Sequence, residues 1–90
     1  MGKGYFRDPA SVPQSVTMRQ ARLALLQAGL LAQVNTAVAN MPGVEGDAAR
    51  IEWEYAQEVR RDSPLVAGLS EILGFTDEAL DNLYRTAAGL

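Results

Sequence analysis

The feature that most constrains the fold of this chain is the regular spacing of its helix start and stop signals. Thr17 and Gln20 stand three residues apart, as in a capping box, at the head of a run of strong helix formers. Gly29 then stands where a glycine commonly ends a helix. Residues 30–41 follow, with apolar residues three to four positions apart, which is a helical period. These signals predict two short helices within residues 18–41, with one bent helix as the alternative.

The same kind of signal divides the second half of the chain. Residues 41–46 contain a proline and two glycines and are predicted to form a loop. Ser63 and Pro64 together give an N-cap followed by proline at the first helical position. The helix that they begin is predicted to end at Gly74. Thr76 is the predicted N-cap of the last helix, whose first turn is acidic.

The segment 48–60 has an ambiguous pattern. Its larger apolar residues alternate with glutamates, as they do in a half-buried strand. It is also rich in alanine, glutamate and arginine, which favour a helix. The sequence shows no second strand-like segment for pairing, and a lone strand is not stable. The sequence therefore predicts a helix over residues 48–60.

Together these signals predict an all-α fold, a compact bundle of four to five short helices with an extended N-terminal segment. Residues 17–90 are expected to form a single helical domain, because a chain of 90 residues makes one domain at most. Residues 1–16 contain two prolines and no helical period, and are expected to be a flexible or extended arm. The predicted core is Leu23, Leu26, Leu30, Val34, Val38, Ile51, Tyr55, Val59, Leu69, Ile72, Leu73, Leu80 and Leu83.

The composition argues against most chemistry. The chain has neither histidine nor cysteine, so the commonest general base and the thiolate metal ligands are missing. The serines have no such base beside them, and no G-x-S-x-G elbow occurs. The pairs Glu54/Glu58 and Asp77/Asp81 are interpreted as solvated helix faces rather than as proton-sharing or metal sites. We therefore expect a non-enzymatic protein with no catalytic residues, no cofactor, no metal and no small-molecule ligand.

The charge balance bears on the class of partner. The predicted helical domain carries six arginines against ten acidic residues, whereas a nucleic-acid binder normally shows a basic patch. The two helices around Gly74 have helix-turn-helix spacing, but the second presents three carboxylates and, in Arg85, one base. Nucleic acid is therefore not the expected partner, and a helix-turn-helix-like nucleic-acid-binding regulator is the alternative function. No membrane partner is expected, because no apolar run nears the ~20 residues that span a bilayer.

Trp53 is the aromatic residue that the predicted helix explains least. If residues 48–60 are helical, Ile51, Tyr55 and Val59 share one face and Trp53 lies off it. The indole is then either buried on a second side of the helix or exposed to a partner. Tryptophan is a favoured interface anchor, so an interface role and core burial are the two alternatives for Trp53.

The interface hypothesis joins Trp53 to other aromatic and arginine residues that the core does not require. Aromatic anchors with nearby arginine are enriched at interface centres. Trp53→Ala is expected to weaken partner binding or self-association by at least ~2 kcal/mol while leaving the chain folded. The residues of this hypothetical interface are Trp53, Arg50, Arg60, Arg61, Tyr5 and Phe6.

Three segments carry a resemblance to a known family. They are VPQSVTMRQARLALLQAGLL, the run ARIEWEY followed by AQEVRRDSPLV, and the end LGFTDEALDNLYRTA. Over nearly all of residues 12–88 the chain resembles a small helical family of bacteriophages and prophages, encoded in the tail and tail-fibre gene region. The resemblance implies a phage tail-region setting and a bacterial host. In that setting we expect a tail-region structural or assembly protein whose partner is another phage tail protein or a second copy. That setting also implies a location in the bacterial host cytoplasm, or incorporation in the virion.

Overall fold

The computed structural model describes residues 12–90. Within them, five short helices and a two-stranded antiparallel sheet form the fold. The helices are α1 (Met18–Gln27), α2 (Leu31–Asn40), α3 (Gly43–Tyr55), α4 (Pro64–Leu73) and α5 (Asp77–Ala88), and the strands are β1 (Ser15–Thr17) and β2 (Glu58–Arg60). The predicted all-α bundle of four to five helices is confirmed, with the small sheet as an addition.

The signals at the two ends of α1 act as predicted. Thr17 Oγ1 accepts a hydrogen bond from the Gln20 amide at 3.0 Å, and Gln20 Oε1 accepts one from the Thr17 amide at 2.8 Å. At the other end Gly29 adopts a φ of +75°, and the Leu30 amide donates to the Leu25 carbonyl at 2.8 Å. This is the Schellman ending that glycine favours. It separates α1 from α2, so residues 18–41 form two helices.

The caps of α4 and α5 are also confirmed. Ser63 Oγ accepts from the Val66 amide at 3.3 Å, and a proline occupies the first turn of α4. That helix ends at Gly74, whose φ is +74°. Thr76 Oγ1 then accepts from the Ala79 amide at 3.1 Å and begins α5. Local capping chemistry therefore sets these boundaries.

The loop predicted over residues 41–46 is wrong over most of its length, because α3 already begins at Gly43. Pro42 stands just before the first turn, where its missing N–H costs no helical hydrogen bond. Gly46 is buried inside the helix, and a Cβ there would lie 2.0 Å from the Met41 carbonyl oxygen. The glycine serves close backbone approach rather than a turn.

The helix predicted over residues 48–60 is wrong at its C-terminal end. α3 stops at Tyr55, and β2 pairs with β1 in a register that sets Val59 opposite Val16. Both valines are buried, and Ser15 Oγ donates to Glu58 Oε1 at 2.6 Å. The partner strand lies at the junction of the predicted arm and the first helix. Its three residues were too few to show a strand period.

The helices pack in two groups. α5 packs along α1, whereas α2 packs against α3 and α4, and the sheet lies beside α1 and α5. Five members of the predicted core are buried and four are partly buried. The buried members are Val34, Val38, Val59, Leu69 and Leu80. The partly buried members are Leu23, Leu30, Leu73 and Leu83.

Four residues of the predicted core are exposed, and for them the prediction is wrong. They are Leu26, Ile51, Tyr55 and Ile72. Leu26 follows Leu25, and Ile72 precedes Leu73; successive residues on a helix point about 100° apart, so one member of each pair leaves the core. Ile51 and Tyr55 are exposed for a different reason: they lie on a second apolar face of α3.

Candidate functional site

The helix α3 carries two apolar faces on opposite sides. Gly46, Ala49 and Trp53 are buried and follow one another at intervals of three and four residues, as one helix face requires. This face packs on the core of the domain. The remaining large apolar side chains of α3, those of Val44, Ile51 and Tyr55, are on the other side of the helix, so the stretch is not a simple amphipathic helix.

The second face is an exposed apolar stripe formed by Val44, Ala48, Ile51 and Tyr55, here named the α3 stripe. Val44 is 82% exposed, Ile51 60% and Tyr55 76%. The four residues stand at intervals of four, three and four, which is the spacing of a coiled-coil seam. No described part of the chain covers them. A seam of this spacing is able to receive one further helix.

Acidic side chains flank the α3 stripe on both sides. Helical geometry places Glu45 and Glu52 along one flank and Asp47 and Glu54 along the other. Asp47 forms an ion pair with Arg50. The three glutamates have no ionic partner within residues 12–90. The seam therefore lies in a field of negative charge.

A groove of about 790 Å³ runs between α3 and α4, next to the α3 stripe. Ala48 belongs to both, so the groove continues the exposed apolar surface. Ala67 and Gly68 are small residues that line the groove on the side of α4. Acidic residues also line it: Glu45, Glu52 and Glu71. Like the α3 stripe with its flanks, the groove combines apolar residues with acidic side chains.

Trp53 belongs to the core and not to the exposed surface. Its indole is 9% exposed, and its Nε1–H donates to Asn35 Oδ1 at 2.9 Å. The Arg22 guanidinium carbon lies 4.3 Å from the ring centroid, and Arg22 also donates to the Trp53 carbonyl. Core burial, the alternative to the interface role, is what the structure shows. Tyr5 and Phe6 of the same hypothesis lie outside the described residues.

Arg50 is directed to the end of α2 rather than outward. Its Nη1 donates to the carbonyls of Val38 at 3.2 Å, Ala39 at 3.2 Å and Met41 at 3.0 Å. These carbonyls belong to the last turn of α2 and the residue after it. Carbonyls at the C-terminal end of a helix have no N–H partner within the helix, and a positive charge is favourable there. The side chain therefore joins α2 to α3.

The other two arginines of the hypothesis also have partners within the chain. Arg60 Nε donates to Asp62 Oδ1 at 3.1 Å, and this contact raises the pKa of Arg60 and lowers the pKa of Asp62. Arg61 is largely buried and donates to Asp81 Oδ1 at 3.0 Å, with Asp77 Oδ1 at 3.6 Å. Arg61 thus ties the end of β2 to the first turns of α5.

The two carboxylate pairs singled out in the sequence are differently placed. Glu54 and Glu58 are not one turn apart, because α3 ends between them and Glu58 belongs to β2. Asp77 and Asp81 share the guanidinium of Arg61. In the part of the chain that the structure describes, no group of three or more acidic side chains is placed to hold a metal ion.

Comparisons with known proteins give no match: neither a family model, nor a curated protein, nor a solved structure resembles the chain significantly. Over residues 12–90, none of the helices combines the length and the apolar character needed to cross a bilayer. The feature of the described residues that bears on function is therefore the geometry of the α3 stripe and its acidic flanks.

Proposed function

We propose that this protein is a non-enzymatic protein-interaction module that binds a helix of another protein through the α3 stripe. The observation that carries the proposal is the exposure of Val44, Ile51 and Tyr55 along one seam. Contiguous apolar surface of this kind, bordered by polar residues, is typical of interaction sites in small proteins. The seam spacing and the adjoining groove favour a helical partner over an extended peptide.

The setting that we propose is the tail region of a bacteriophage or prophage, where the protein acts in tail structure or assembly. The resemblance described above supports this setting, since its segments include most of α1, α3 and α5. The partner is then another tail protein, met in the cytoplasm of the bacterial host or in the assembled virion.

A nucleic-acid-binding regulator is less well supported by the same geometry. α5 packs along α1 and has few contacts with α4, so the two helices do not form a closely packed pair. Its first turn also presents Asp77 and Glu78 to solvent. A gel-shift on random duplex at low salt tests this alternative, and salt-sensitive retention would favour it.

The proposed function is tested by co-expression with the products of neighbouring tail genes. The double variant Ile51→Ser, Tyr55→Ser removes the two largest side chains of the α3 stripe without touching a buried residue. Leu26→Ser is the matched control, because Leu26 on α1 is 59% exposed and Ile51 is 60% exposed. We expect the wild-type chain and the control to co-purify with a tail protein and the double variant to lose it.

Two results would overturn the proposal. Equal recovery of the tail protein by the double variant and by the wild-type chain places the interface elsewhere. Failure of the wild-type chain to recover any neighbouring tail product excludes the proposed setting. Circular dichroism of each variant shows whether the fold is intact, since both substitutions are on exposed positions.

A further inference from the structure

We infer that the partner of the α3 stripe is an amphipathic helix with basic residues on both sides of its apolar seam, and not a second copy of this chain. The inference rests on the proposed function, because it names the chemistry of the partner for the same surface. It follows from the charges beside the stripe rather than from the stripe itself.

The acidic flanks disfavour pairing of two copies in either orientation. In a coiled coil the flanking positions of one helix face those of the other and set the choice of partner. Two parallel copies of α3 would place Glu45 and Glu52 against Asp47 and Glu54 of the other copy. Two antiparallel copies would place each flank against itself. Every contact would be between like charges, which repel.

The one basic residue of α3 relieves this repulsion only at Asp47. Arg50 is directed toward the carbonyls at the end of α2, and its remaining ionic contact is with Asp47. With four carboxylates and one arginine, the helix carries a net charge of −3. A partner with lysine or arginine on both flanks would neutralise this charge on binding.

The groove between α3 and α4 strengthens the argument on one flank. Glu45, Glu52 and Glu71 line it together with small residues such as Ala48 and Gly68. Long basic side chains bury their methylene groups on apolar surface while their charged ends reach a carboxylate. The groove therefore offers a place for lysine or arginine side chains that extend from the partner helix toward α4.

The test uses two synthetic helical peptides of about 21 residues that share one apolar seam. One carries lysine and the other glutamate at all flanking positions. Each is labelled and titrated with the full chain, and fluorescence anisotropy measures binding. We expect the lysine peptide to bind at least about tenfold more tightly at about 50 mM salt, and this preference to shrink toward about 500 mM.

Charge reversal on the protein provides the matched variants. The double variant Glu52→Lys, Glu54→Lys leaves one acidic and one basic residue on each flank and is expected to abolish the peptide preference. Glu78→Lys on α5 is the control, because this residue is exposed and lies on a different helix. The control changes the net charge by +2 and the double variant by +4, so a change in the control of half the size or more would show an effect of overall charge and overturn the inference.

Further outcomes separate this inference from the proposed function. If both peptides bind equally and Ile51→Ser abolishes both, the α3 stripe is an interface but the inference about charge is wrong. If neither peptide binds, the inference is wrong, and the co-expression result still decides the proposed function. Sedimentation of the wild-type chain at about 50 μM is expected to give a monomer. A dimer that Ile51→Ser dissociates would show that a second copy is the occupant.

Discussion

The hydroxyl of Tyr84 donates a hydrogen bond of 3.1 Å to the carbonyl of Val59, and this contact joins α5 to β2. Val59 in turn pairs with Val16 of β1. One buried phenol thus connects three segments that are far apart in the sequence. Burial of this phenol raises the pKa of Tyr84 to about 12.

This pKa predicts a loss of stability at high pH. The ordinary tyrosine pKa of 10.0 is the unfolded value, and the folded value is higher. The contribution of Tyr84 is therefore complete below pH 10.0 and is lost as the pH rises toward about 12. We expect the free energy of unfolding to fall by on the order of 1–3 kcal/mol over this window. Urea unfolding between about pH 9 and about pH 12 measures it.

Two phenylalanine variants isolate the effect. Tyr84→Phe removes the hydrogen bond and should lower the free energy of unfolding by about 0.5–1.5 kcal/mol at neutral pH. Its free energy of unfolding should then fall less steeply at alkaline pH than that of the wild-type chain. Tyr55→Phe should keep the wild-type profile, because the Tyr55 side chain is 76% exposed. If Tyr84→Phe loses stability with pH as steeply as the wild-type chain, another group causes the loss.

Trp53→Ala is expected to unfold the protein rather than to spare it. Truncation of a buried tryptophan costs about 3–5 kcal/mol, and a domain of this size has a net stability of only a few kcal/mol. The change would also leave Asn35 without its indole donor and remove the ring beneath Arg22. Thermal melts by circular dichroism should show no cooperative transition for Trp53→Ala, and a weakened one for Trp53→Phe. A wild-type melt of Trp53→Ala would contradict the core role of the indole.

The parts of the fold that the sequence predicted depend on local chemistry. Thr17, Ser63 and Thr76 each cap a helix within three residues, and Gly74 ends one with a positive φ. Such signals act whatever the rest of the chain does. They predict the start and the end of α1 and α4 and the start of α5, whereas α2 and α3 begin without a side-chain cap.

The parts that the sequence did not predict depend on distant contacts. Ser15 and Glu58 are 43 residues apart, so no local pattern announces their pairing. Sequence periodicity also identifies the apolar faces of a helix, but where a helix has two such faces it does not show which one is buried. On α3 the face that carries Ala49 and Trp53 packs inward, and the face that carries Ile51 and Tyr55 is exposed. In the sequence-based prediction Ile51 and Tyr55 of the α3 stripe were assigned to the core, and Val44 was assigned to a loop, so the 4-3-4 spacing was not identified.

Gly46 and Gly68 are predicted to respond oppositely to alanine, although both lie inside helices and near Met41. A Cβ at position 46 would lie 2.0 Å from the Met41 carbonyl oxygen, which is backbone and unable to move freely. A Cβ at position 68 would meet the flexible end of the Met41 side chain at 2.8 Å. We expect Gly46→Ala to destabilise by about 2 kcal/mol or more. Gly68→Ala should be neutral or stabilise by up to about 1 kcal/mol through helix propensity. Urea unfolding of the two variants compares them, and equal effects would contradict the prediction.

Arg50 is predicted to stabilise the fold through the end of α2, because its guanidinium donates to three carbonyls there. Arg50→Met keeps the aliphatic stem but removes the donors, and is expected to cost about 1–3 kcal/mol in urea unfolding. Arg50→Lys should recover only part of the loss, since a single ammonium nitrogen replaces Nη1, which contacts the carbonyls, and Nη2, which contacts Asp47. The matched change Arg60→Met should have no measurable effect, because the ion pair between Arg60 and Asp62 is exposed to solvent. If Arg50→Met is as stable as Arg60→Met, the contacts of Arg50 with α2 contribute no more than a surface ion pair.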